Sequence, residues 1–133
     1  MLIGVPKEIK NHEYRVGLTP ASVRELTAHG HEVLVQSGAG LAIGLTDEQY
    51  EAAGAQLAAA ASEIFSRAEM IVKVKEPQPE EVSLLRPEVT LFTYLHLAPV
   101  PDLTAELQKK KIRKTLRKRT LTWMIKETSL LKK

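Results

Sequence analysis

The chain has 133 residues, 19 Lys and Arg against 16 Asp and Glu, and no cysteine. Its length allows one domain with a real core, and the lack of cysteine excludes a disulfide framework and any Cys-ligated zinc or redox centre. Through Gln108 there are eight basic and fifteen acidic residues, and after it eleven and one, a sign reversal that marks a basic interaction arm or a segment of separate origin.

The opening "MLIGVPKEIK" has neither a basic n-region nor an apolar h-region, and no stretch reaches the roughly 18 apolar residues that cross a bilayer. The expectation is a soluble, cytoplasmic protein. "LIGVP" is an apolar run closed by Pro6 and predicts a buried strand; "KEIKNHEYRVG" is too polar for core and predicts a loop with exposed groups. In "LTPASVRELTAHG" Thr19 can cap a helix, Pro20 takes its first position and Gly30 follows its end. "EVLVQ" is the next strand. Thr46 and Gln49 form a capping-box pattern at the start of a second helix that ends by Gly54, and the alanine-rich run predicts a third from about Ala58 to Arg67. "MIVKV" and "VTLFTYL" read as strands, separated by "KEPQPEEVSLLRPE", whose prolines bar it from being a central strand. A last helix starts at Pro101. Alternating strands and helices predict an α/β fold with a mostly parallel, Rossmann-like sheet flanked by helices.

Ligands of such sheets collect at the carboxyl ends of the strands. Lys75 follows "MIVKV", His96 follows "VTLFTYL", and Arg15 lies in the polar loop after the first strand. Each has a bland reading: a solvated arginine, a strand-end lysine that aids solubility, a core histidine satisfied by backbone. Together, two fixed cations and one titratable imidazole suit a small anionic carbonyl substrate. Gly38, Gly40 and Gly44 are spaced GxGxxxG, one residue off the dinucleotide fingerprint, and are read as a loop that permits positive φ. No metal ligand set is assigned.

"MLIGVPKEIKNHEYRVGLTP", "GAGLAIGLTDEQYEAAGA", "MIVKVKEPQPEE" and "LFTYLHLAP" resemble the start of bacterial alanine dehydrogenase and, less closely, the N-terminal part of proton-translocating nicotinamide nucleotide transhydrogenase. The resemblance covers residues 1–108, with Ile43 departing from an expected small residue. It implies an incomplete substrate domain of a homo-oligomeric enzyme that interconverts L-alanine with pyruvate and ammonium using NAD. Arg15 is similar to the arginine that grips the substrate carboxylate, Lys75 to the lysine near the substrate carbonyl, and His96 to the catalytic general acid/base. In the family the NAD domain and a catalytic aspartate come later, so no NAD site is expected in this chain and no activity from it alone.

Residues 109–133 are expected to be a basic tail foreign to the family. As a nucleic-acid arm the tail offers only Trp123 for base stacking. As a membrane-surface helix it aligns Ile112, Leu116, Trp123 and Leu130 but leaves Leu121 and Ile125 off that stripe. The favoured reading is an out-of-frame translation: the single codons of Trp123 and Met124, read from the third base, force Asp-Asp. A module using the tail to bind nucleic acid or a membrane surface is the alternative, as is a transhydrogenase fragment.

Overall fold

The computed structural model of the chain describes residues 1–95 and 101–116. His96 and residues 117–133, which include Trp123 and the frame-dependent Asp-Asp reading, lie outside the described residues.

Six strands form one sheet: β1 (Leu2–Val5), β2 (Glu32–Gln36), β3 (Gln56–Ala58), β4 (Met70–Lys75), β5 (Thr90–Tyr94) and β6 (Arg113–Leu116). They lie in the order β3-β2-β1-β4-β5-β6, and every neighbouring pair is parallel. Five helices connect them: α1 (Pro20–Ala28), α2 (Asp47–Ala52), α3 (Ala61–Arg67), α4 (Pro79–Leu84) and α5 (Pro101–Lys109).

The local signals act as the sequence predicts. Thr19 accepts the Ser22 N–H at 3.3 Å and Pro20 opens α1. The Thr46/Gln49 capping box starts α2, and Gly30 and Gly54, both at positive φ, follow the two helices. Apolar residues from both faces of the central strands then build two cores. On one face Leu34, Ile71 and Leu91 pack with Ile64, Phe65, Val82 and Leu107. On the other, Val5, Val33 and Val35 pack with Val23, Tyr50 and Ala53. Gly4 lets α3 close down on β1, since a Cβ there would stand 2.5 Å from Ile64 Cγ2.

One expectation needs correction, and two stretches hold structure that was not predicted. The predicted helix from Ala58 begins only at Ala61, because Gln56, Leu57 and Ala58 pair with Leu34, Val35 and Gln36 as an edge strand; sheet pairing outweighs the helix propensity of alanine. The proline-rich stretch before β5 forms no central strand, as expected, and it contains α4, with Pro79 at its first turn and Gln78 and Glu81 as a capping box. Structure also runs past Gln108. Lys109 ends α5, Lys110 Nζ donates to the carbonyls of Val82, Ser83 and Leu85, Ile112 is buried, and β6 pairs with β5. Described structure therefore continues past Gln108, where the basic tail is expected to begin.

Strand order reverses between β1 and β4, the neighbours from which the chain builds outward in opposite directions. The crevice at the carboxyl ends of these two strands is where this topology places ligands.

Candidate functional site

Pro6 ends β1, and a loop of residues 6–19 carries the chain across the end of β4. The loop touches the strand closely at Gly17, where a Cβ would stand 2.5 Å from the Val72 carbonyl oxygen. It is not simply the exposed polar segment the sequence predicts, because Glu8 and Val16 are both buried.

Glu8 turns back under the loop and meets the end of β4. Its carboxylate accepts the Val74 N–H at 2.7 Å and the Lys75 N–H at 3.4 Å, and it also accepts from Lys73 Nζ at 3.2 Å. Lys73 donates in addition to Glu81 on α4 at 2.7 Å, while the other Glu81 oxygen accepts the Gln78 N–H at 2.8 Å. The side chains of Lys73, Glu8 and Glu81 are 0%, 1% and 4% exposed. Three charges at that depth persist only because their polar atoms have partners.

Above this buried group lie the two cations singled out in the sequence. Lys75 ends β4 beside Tyr94 of β5, with its carbonyl accepting from Thr93 Oγ1 at 2.8 Å. Arg15 projects from the loop, and its guanidinium forks onto Glu13 through Nε at 2.8 Å and a terminal nitrogen at 2.6 Å. The Glu13 side chain is 5% exposed and that of Arg15 61%. The Arg15 hydrogen bonds hold the Glu13 carboxyl down at about 2, the Lys75 charge adding to the effect. The same fork raises Arg15 further above its usual range. Glu76, the residue after Lys75, pairs with Lys10. Burial pushes its carboxyl up, but the Lys10 bond and a backbone bond outweigh this and leave it lowered.

Arg15 and Lys75 thus both lie at the carboxyl end of the sheet, where Glu13 bonds Arg15 and feels the Lys75 charge and Glu8 accepts the Lys75 N–H. His96 lies outside the described residues, two positions after the Tyr94 that pairs with Lys75. Sequence reasoning missed Glu8, Glu13, Lys73 and Glu81. The one available signal was Lys73, a lysine inside an otherwise apolar strand, which needs a buried anionic partner.

The glycine loop does not suit a pyrophosphate. The Gly38 N–H donates to Asp47 at 2.8 Å, and the same carboxylate accepts from Ser37 Oγ, so an anion of the chain already fills the turn. Asp47 is held lowered by those two bonds, that of Ser37 first. Two grooves elsewhere, one between α1 and α2 around Arg24 and Gln49 and one around Glu69 and Arg86, include neither Arg15 nor Lys75. No helix among the described residues is long and apolar enough to cross a membrane.

Comparison with known proteins agrees with this architecture. The chain is 57% identical over 112 residues to an alanine dehydrogenase of Methanococcus maripaludis, covering 84% of this chain and 30% of the relative. It is 53% identical over 112 residues to that of Bacillus subtilis, covering 84% and 29%. The chain therefore spans under a third of the length of these curated relatives. A solved L-alanine dehydrogenase superposes with a TM-score of 0.85 at 49% identity, over 87% of this chain and 32% of that one. A transhydrogenase from Sinorhizobium meliloti gives 0.81 at 25% identity, over 87% and 33%. The family model described as "Alanine dehydrogenase/PNT, N-terminal domain" matches residues 4–115, from β1 into β6. With the sheet order and this match in agreement, the chain belongs to the family of alanine dehydrogenase and PNT N-terminal domains.

Proposed function

We propose that this chain supplies the substrate-holding part of an L-alanine dehydrogenase, the enzyme that converts L-alanine, NAD and water to pyruvate, ammonium and NADH. One observation carries the reading: a guanidinium and an ammonium at one crevice, on a loop and a strand bound to each other through Glu8. In this reading the Arg15 fork grips the substrate carboxylate and Lys75 polarises the carbonyl oxygen. His96 moves the proton during addition and loss of water and amine.

Glu13 sets a condition on binding. It already occupies the Arg15 fork, so an incoming carboxylate must displace it or share the guanidinium with it. NAD supplies the hydride acceptor when bound, and its site is assigned to a part of the enzyme outside residues 4–115, because the Gly38 turn is filled by Asp47. In this reading the chain alone is inactive, since the part that positions a nicotinamide against the substrate comes from elsewhere in the enzyme. The working location is the cytoplasm, the ligand is a small molecule, and the assembled enzyme is a homo-oligomer. Residues beyond the family match are read as an out-of-frame segment, for which the nucleotide sequence read in three frames is the test.

A transhydrogenase fragment is the second reading, and the higher identity to alanine dehydrogenases favours the first. Titration of labelled protein with pyruvate, followed by NMR, tests the site. Shifts at Arg15 and Lys75 with a dissociation constant of about a millimolar or weaker are expected, lost in Arg15→Ala and Lys75→Ala. Shifts that survive both substitutions, or that vanish at moderate salt, would instead favour a basic-tail binding module.

A further inference from the structure

Beneath the two cations lies a buried charge group to which the proposed chemistry gives no part. Glu8, Lys73 and Glu81 are essentially sealed from water. Each carboxylate spends one oxygen on Lys73 and its other on a backbone N–H, Val74 for Glu8 and Gln78 for Glu81. If burial of apolar surface were all the fold required, hydrophobic residues of similar size would serve as well or better. What an apolar trio could not do is fix the loop after β1 to the last residues of β4 through directed bonds.

The geometry supports that role. Glu8 belongs to the loop that carries Arg15, and the amides it holds belong to Val74 and Lys75. At this point the register between β4 and β5 shifts, between Val72 and Lys75, so regular pairing does not by itself set where Lys75 stands. Lys73 points to the opposite face of the strand from Val72 and Val74 and ties Glu8 to α4 through Glu81. Gly17 brings the far end of the loop against Val72. The loop is thereby held at both ends, with Arg15 between them.

We propose that Glu8, held by Lys73 and Glu81, is a positioning residue that sets the spacing between Arg15 and Lys75. It touches no substrate and acts through the Val74 and Lys75 amides. The inference rests on the reading of Arg15 and Lys75 as the substrate-holding cations.

The test uses the full 133-residue chain with Glu8→Leu, Glu8→Gln and, as a control for general loss of stability, Ile64→Val. Pyruvate affinity is measured by NMR at a temperature where every variant is folded. Glu8→Leu is expected to weaken pyruvate by about tenfold and Glu8→Gln, which can satisfy only one arm, by about threefold. Ile64→Val should lower the melting midpoint and leave affinity unchanged. Affinity that tracks the melting midpoint across all three variants, or that is unchanged in both Glu8 variants, overturns the proposal. If Glu8→Leu does not fold, Glu8→Gln decides on the same criterion.

A second readout needs no ligand. The nuclear Overhauser contact between Gly17 and the Lys73 amide, and the exchange protection of the Val74 and Lys75 amides, should disappear in Glu8→Leu and weaken in Glu8→Gln. Should the unsubstituted chain show no pyruvate shifts at all, the substrate reading fails, and these observables still judge the positioning claim: their persistence in both variants would overturn it.

Discussion

Glu13 shows how one side chain can govern the site without reacting. Its carboxylate forks Arg15 in the geometry that a substrate carboxylate would use. Removing its charge should free the guanidinium, so Glu13→Gln is expected to tighten pyruvate binding several-fold, read by NMR titration; weaker binding would mean that Glu13 instead orients Arg15 for the ligand. The same residue sets a pH dependence. Its folded-state value is about 2 against an ordinary 4.5, so its ion pair contributes stability that is full above the ordinary value and is lost as the pH falls toward 2. The melting midpoint should therefore fall less between pH 5 and 2 in Glu13→Gln than in the unsubstituted chain. By position alone Arg15 and Lys75 read as a solvated arginine and a strand-end lysine, and only the family resemblance singles them out as site residues. Glu8 was not legible, because its partner Lys73 lies 65 positions away, and nothing local distinguishes a buried glutamate from a solvated one.

Elements with their own start and stop signals were legible. The caps at Thr19 and Thr46 and the prolines that open α1 and α5 are encoded within a few residues. β3 and β6 were not, since three residues of an alanine-rich run and a stretch of mixed basic and apolar residues become strands only when an existing sheet edge pairs with them. That dependence predicts where the chain can be cut. Ending it after Leu116 should leave the melting midpoint read by circular dichroism unchanged. Ending it after Gln108 removes the Lys110 bonds to three carbonyls at the end of α4, the buried Ile112 and all of β6, and should lower that midpoint by several degrees or more. In the same core, Gly4→Ala would press a methyl group against Ile64 and Ala68 and is expected to destabilise by about 1–3 kcal/mol, measured by denaturant titration.

The whole molecule is a parallel sheet with short strands at both edges and aromatic residues left open on β5. Phe92 and Tyr94 are 40% and 42% exposed, and among the described residues β3 and β6 are the outer strands of the sheet, each paired on one side. Broad thermal unfolding and binding of a hydrophobic dye are expected of the isolated chain; a sharp two-state transition in a monomer would contradict this. The central place of β1 carries a further consequence for the order in which the molecule is made. β1 is an inner strand that leaves the ribosome ahead of its partner β4, and Ile3 can complete its pairing only when Met70 has been added. At about 5–20 residues per second, that wait of roughly seventy residues lasts on the order of 3–14 seconds. Throughout it one side of β1 is bare and Glu8 lacks Lys73, so the nascent chain passes through a window in which chaperone capture or misassembly competes with correct closure of the sheet.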